Sequence, residues 1–156
     1  MTYQSRLPRQ LSRRQILLIG GGTAVAIAAT SYALLQRDRF EGAEMSPPEV
    51  LESVRAGQLM LIDIRRPDEW NGTGIAEGAI MLDMRRDDFV AALTDLAGDD
   101  LTQPIALICA RGVRSDRISA RLLEAGFTNI IDVPEGMLGS SAGPGWLERE
   151  LPVVRP

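Results

Sequence analysis

Residues 104–115 read Pro-Ile-Ala-Leu-Ile-Cys-Ala-Arg-Gly-Val-Arg-Ser. The run Ile105-Ala106-Leu107-Ile108 is apolar at every position, so both of its faces are apolar, as in a central strand of a parallel sheet covered on both sides. Gly112 breaks the chain shortly after it. Beyond Ser115, residues Ile118, Leu122 and Ala125 fall on one helical face that ends at Gly126. Buried strand, glycine turn and helix together make one unit of an α/β fold.

The same alternation extends in both directions. Upstream, Ser46 can cap a helix opened by Pro47, with Glu49 completing a capping box and Gly57 ending it. Residues 59–64 form a strand candidate, followed by a short helix near 67–71, a glycine-rich turn and a second strand at 79–82. Phe89, Val90, Leu93 and Leu96 mark a further helix, and residues 128–133 a last strand. The expected architecture is α/β, a parallel sheet of about five short strands with helices on both faces, preceded by one N-terminal apolar helix.

Composition narrows the chemistry. The 156 residues, 45% apolar, suffice for one core. They include no histidine and one cysteine, and all 17 basic residues are arginine. Triads that need histidine, histidine-ligated zinc and an internal disulfide framework are therefore excluded. No metal and no cofactor is expected.

Charge divides the chain. Residues 1–35 hold Arg6, Arg9, Arg13 and Arg14 and no acid, whereas the remainder sets 13 arginines against 21 acids. Such an acidic body offers no broad basic surface, so nucleic acid is not an expected partner. Residues 1–15 read as a basic n-region. Residues 16–35, an uncharged stretch long enough as a helix to cross about 30 Å of bilayer, read as a signal or transmembrane helix. The Ser12-Arg13-Arg14-Gln15-Ile16-Leu17 stretch resembles a twin-arginine signal. A cleaved export signal and an uncleaved membrane anchor both remain open, the anchor being preferred. Either places the body in the periplasm, attached to a bacterial inner membrane or free of it. Residues 36–45 read as a linker and 46–154 as the folded domain.

In open parallel sheets, ligands bind beyond the carboxyl ends of the strands, which is where Cys109 lies. A free cysteine is most often a small buried hydrophobe. Here, however, it precedes a helix N-terminus and stands near Arg111 and Arg114. Helix dipole and guanidinium charge both favour the nucleophilic thiolate, and Gly112 allows successive N–H groups to turn inward around an anion.

Cys109-Ala110-Arg111-Gly112-Val113-Arg114-Ser115 resembles the active-site loop of rhodanese-like domains. Supporting stretches are Leu61-Ile62-Asp63-Ile64-Arg65 with Asp68-Glu69-Trp70, Gly74-Ile75-Ala76-Glu77-Gly78-Ala79-Ile80, Ala125-Gly126-Phe127-Thr128-Asn129-Ile130, Glu135-Gly136-Met137, and the closing Trp146 and Leu151-Pro152-Val153. Three features depart from the family pattern. Ile75 stands where histidine is common, Glu135-Gly136-Met137 replaces the usual paired glycines, and residues 138–145 lengthen the segment that should border the site.

The resemblance implies a sulfurtransferase in which Cys109 takes a sulfane sulfur from thiosulfate or a related small anionic donor. The resulting persulfide passes its sulfur to a thiol or to cyanide. Arg111 and Arg114 are the candidates for holding the donor's oxygens. Ala110, Gly112, Val113 and Ser115 complete the loop, and Asp63, Arg65 and Glu69 are expected as an ion-pair network behind it. The protein is taken as a monomer. One alternative is a non-catalytic, membrane-held binding or sulfur-carrier module. Another is a cysteine-dependent phosphatase or arsenate reductase, whose loop is one residue longer between cysteine and arginine.

Overall fold

The computed structural model describes residues 40–156. The expected basic n-region and apolar N-terminal helix lie outside them. Five strands form one sheet: β1 (Ala43–Glu44), β2 (Met60–Asp63), β4 (Ala79–Met81), β5 (Ile105–Ile108) and β6 (Ile130–Asp132). Their order is β1-β6-β5-β2-β4, with every neighbouring pair parallel. A separate antiparallel pair joins β3 (Ile75–Ala76) to β7 (Val153–Val154). The helices are α1 (Pro47–Arg55), α2 (Pro67–Thr73), α3 (Phe89–Leu96), α4 (Val113–Glu124) and α5 (Gly145–Glu148).

The doubly apolar strand is central, as expected, and all four of its residues are fully buried. Alternate side chains enter two cores. Ile105 and Leu107 join Ile62, Ile64, Leu93, Ile118, Leu122 and Phe127, so α3 and α4 cover one face. Ala106 and Ile108 join Leu61, Val50, Leu51, Met137 and Trp146, so α1 and α5 cover the other. Each aliphatic side chain buried in this way contributes roughly 1.5–3 kcal/mol relative to exposure. The start of α1 follows the capping-box reading, with the Ser46 N–H donating to Glu49 Oε2 at 2.8 Å.

One expectation is corrected. Part of the stretch read as linker belongs to the fold: Phe40 is buried in the first core, and β1 extends the sheet along β6. Its signal is absent from the sequence because Ala43 and Glu44 are both exposed and are held by backbone bonds alone. The Met45 N–H, just beyond them, donates to the Asp132 carbonyl at 3.0 Å.

In the sheet register Asp63 pairs with Ile108, and Leu107 with Asp132. The carboxyl ends of β2, β5 and β6 therefore meet at one edge, with Cys109 in the middle. This edge carries the site.

Candidate active site

Cys109 leaves the end of β5 almost wholly buried, at 1% exposure. The chain then turns through Gly112, the N-cap of α4, at φ +81°. Two constraints make this residue glycine: the positive φ, and the Pro134 carbonyl, which a Cβ would strike. From the other side Gly136 presses on the loop, its hypothetical Cβ only 2.6 Å from the Ala110 carbonyl oxygen. Backbone bonds fasten the contact, from the Met137 N–H to the Cys109 carbonyl at 2.9 Å and from the Leu138 N–H to that of Ala110 at 2.8 Å. Among the described residues, none of the backbone N–H groups of residues 110–115 finds an acceptor. They are the orphan donors of a helix start, and with the α4 dipole they make a cup suited to an anion.

Arg114 is fixed from outside the loop. Its Nη1 and Nη2 donate to Glu69 Oε2 and Oε1 at 2.8 and 2.7 Å, a bidentate fork reaching back to α2. The hydrogen bond from Arg114 is the largest influence on Glu69, whose carboxyl is held down to about 2. In return the Glu69 hydrogen bond raises the Arg114 pKa, and the neighbouring Cys109 sulfur adds to that. Both groups are thus charged across the physiological range. The pairing still leaves the Nε–H and one N–H on each terminal nitrogen free to meet a ligand.

The expected ion-pair network behind the loop divides in two. Glu69 joins the loop through Arg114, but Asp63 and Arg65 make no hydrogen bond to it. Both are buried, and Arg65 grips the Asp63 carboxylate through Nε and Nη2 at 2.7–3.0 Å. Arg65 also donates to Thr73 Oγ1 at 2.8 Å and to the Gly74 carbonyl at 2.7 Å. The pair therefore ties the end of β2 to the end of α2, the helix that presents Glu69. Its bearing on the loop is indirect, because the guanidinium exhausts the carboxylate.

Arg111 is exposed and donates from Nη1 to the Gly139 carbonyl at 3.3 Å, so it touches the 138–145 segment. That segment does border the site. Ser140 Oγ donates to the Pro134 carbonyl at 2.7 Å, and Glu135 anchors the segment's far end through the Gly145 N–H at 2.9 Å and Arg149 at 2.8 Å. Glu135 thus has a use that a glycine could not fill. Of the remaining loop residues, Ala110 is half-buried, Gly112 is buried and Val113 is exposed. Ser115 is wholly buried, its hydroxyl 2.9 Å from the Gly112 carbonyl and 3.6 Å from Cys109 Sγ.

Sequence reading missed Asp132. It ends β6, is 2% exposed, and stands beside Ser115. Burial pushes its carboxyl up to about 7, while contact with the Ser115 hydroxyl holds it down. An acid inside the apolar run Ile130-Ile131-Asp132-Val133 was the available signal.

A parallel sheet of this order, with a cysteine-to-arginine loop of six residues cupped at its carboxyl edge, defines a rhodanese-like domain. A model of the family described as Rhodanese-like domain matches residues 46–142, and the chain belongs to that family. The tRNA uridine(34) hydroxylase of Chlamydia abortus is 29% identical over 111 residues, 67% of this chain and 33% of that protein. The chain thus spans about a third of the length of the curated relatives it matches. Among solved structures, the polysulfide-sulfur transferase homodimer of Wolinella succinogenes is similar with a TM-score of 0.61 and 25% identity. That match covers 81% of this chain and 88% of the other. The thiosulfate sulfurtransferase of Pseudomonas aeruginosa shares the fold, with a TM-score of 0.57 and 22% identity over 72% of this chain and 20% of its own.

Proposed function

We propose that this chain is a sulfurtransferase that carries a sulfane sulfur on Cys109, with thiosulfate or a related small anion as donor. The observation that supports it most is the seating of Cys109 under the start of α4 beside an Arg114 held in place by Glu69. The Cys109 thiolate attacks the outer sulfur of thiosulfate. A sulfur–sulfur bond forms to Cys109, the donor's own sulfur–sulfur bond breaks, and sulfite leaves with the electron pair. A thiolate or cyanide then attacks the outer sulfur of the persulfide and releases Cys109 as thiolate, a ping-pong sequence that needs no histidine base. The unpaired N–H groups of the loop and the α4 dipole stabilise the persulfide anion. Assaying thiocyanate from thiosulfate and cyanide tests the reading. Wild-type protein that neither turns over nor gains one sulfur atom on Cys109 overturns it.

The N–H groups that Arg114 keeps free suit the donor's anionic oxygens. Replacing Arg114 with alanine is therefore expected to cost about a hundredfold in kcat/KM with thiosulfate, the scale of a hydrogen bond between charged groups. The loss with an uncharged organic persulfide should be at least about tenfold smaller, since only the loop clamp is removed in that case. Equal losses with both donors would exclude an oxyanion role.

The relatives named for tRNA are about twice as long as this chain, and the acidic composition of its body offers no broad basic surface, so no action on tRNA is proposed. The domain is placed across the inner membrane by its N-terminal arginines and apolar residues 16–35. Among the described residues no helix is long and apolar enough to cross a membrane, so attachment depends on residues 16–35. An intact N-terminal mass in the bacterial membrane fraction supports an anchor and a shortened one in the periplasm a cleaved signal. Recovery from the cytosol alone rules out both.

A further inference from the structure

Residues 137–139 run alongside the loop that follows Cys109. The Met137 and Leu138 N–H groups donate to the carbonyls of Cys109 and Ala110 at 2.9 and 2.8 Å, and the Gly139 carbonyl accepts from Arg111 Nη1 at 3.3 Å. Cys109, between this strip and the start of α4, is only 1% exposed. The strip opens the 138–145 segment, which is fastened at two further places. Ser140 Oγ donates to the Pro134 carbonyl at 2.7 Å. Glu135, itself 4% exposed, accepts from the Gly145 N–H at 2.9 Å and from Arg149 Nε and Nη2 at 2.8 Å.

We infer that the 138–145 segment, pinned by Glu135, Arg149 and Ser140, is a size filter beside Cys109 that admits small anionic sulfur donors and shuts out donors with bulk next to the sulfur. Lifting the segment breaks these bonds and strands a buried carboxylate, so a bulky reagent meets the thiol only in the fraction of molecules in which the segment has opened. A small anion enters the cup without that opening.

The packing of the segment agrees with a fixed wall. It folds over the Glu135 carboxyl so closely that a Cβ on Gly143 would strike it, and the Ser140 N–H closes the turn on the Gly143 carbonyl at 2.9 Å. Its two ends continue into the second core through Met137 and Trp146, both fully buried. The bonds made by Ser140, Glu135 and Arg149 do not reach Cys109, Arg111 or Arg114, so the wall can be loosened without touching the cup. This inference rests on the sulfur-transfer reading above for the nature of the donor, but the barrier itself is testable on the thiol alone.

The test alkylates Cys109 at neutral pH with two reagents that share one reactive group, iodoacetamide and its N-phenyl form, iodoacetanilide. In the wild type, the ratio of anilide to amide rate should lie at least about tenfold below that of free cysteine, whose thiol stands open. Arg149→Ala should raise the anilide rate about tenfold, the low end for a charged hydrogen bond because water reaches part of this pair. Ser140→Ala should raise it about fivefold, the scale of a neutral hydrogen bond. The amide rate should stay within about twofold in both variants, since the small reagent does not wait on the opening. A wild-type ratio equal to that of free cysteine overturns the inference. So do unchanged anilide rates in the variants, or an equal rise with both reagents, which is what simple loss of folding gives. Persulfide formation from thiosulfate, followed by intact mass, tests the sulfur-transfer reading separately. Size-dependent alkylation without persulfide overturns sulfur transfer and keeps the filter, while persulfide with size-blind alkylation does the reverse.

Discussion

Cys109→Ser is expected to abolish thiocyanate formation, lowering turnover by at least about a thousandfold, because serine at this place has no base to ionise it. The chain contains no histidine, and the carboxylates nearest the loop are otherwise engaged. Glu69 is spent on Arg114, and no hydrogen bond joins the Asp132 carboxyl to Cys109. A thiol is acidic enough to supply an attacking anion without a base, and the unpaired N–H groups, the start of α4 and Arg114 surround the sulfur that would carry the charge. An alcohol of far higher pKa gains too little from the same field. The variant should fold as the wild type does, since the exchange of sulfur for oxygen barely changes a fully enclosed side chain. Intact mass after incubation with thiosulfate should show about 32 Da added to the wild type and nothing added to the variant. Residual turnover above about a tenth of the wild-type rate would show that Cys109 is not the sulfur carrier.

The second large effect concerns stability. Asp63→Ala should destabilise the domain by about 3–5 kcal/mol, because it strands the buried Arg65 guanidinium without its counter-charge. That is a large fraction of the roughly 5–15 kcal/mol that holds a typical domain folded, and the melting temperature should fall by roughly 10–20 °C. Replacing both members at once, Asp63→Leu with Arg65→Met, should recover most of the loss, since an apolar pair leaves no charge in the core. Urea melts of the wild type and the two variants measure this. A loss below about 1 kcal/mol for Asp63→Ala would mean that water reaches Arg65. The effect should spread to the site, because the same guanidinium binds Thr73 and Gly74 at the end of the helix that offers Glu69 to Arg114.

These two residues also show how unevenly the site could be read in advance. Cys109 stood out because a doubly apolar strand, a glycine and a helical pattern are local signals, and together they place the thiol at a sheet edge. Asp63, Arg65 and Glu69 were legible as charged neighbours in the chain, but not in their pairing. Glu69 finds its partner 45 residues away, whereas Arg65 turns back on a residue two positions before it. Which way a long charged side chain turns depends on what the fold leaves unsatisfied nearby, and spacing along one strand does not encode that. Phe40 and β1 were missed for a related reason. An edge strand of two exposed residues held by backbone bonds has no side-chain pattern to read.

The sequence by itself determined the α/β class, the central strand, the place of the one cysteine at its end and the absence of histidine. These follow from composition and from periodicities that lie within one element and its turn. Tertiary structure alone decided that Glu69 clamps Arg114, that Glu135 ties down the 138–145 segment, and that Asp132 lies buried at the end of β6. Each of these joins elements that are distant in the chain. The physical reason is that burial and pairing are properties of the space between elements, where a charge must find a partner or give up its ionisation.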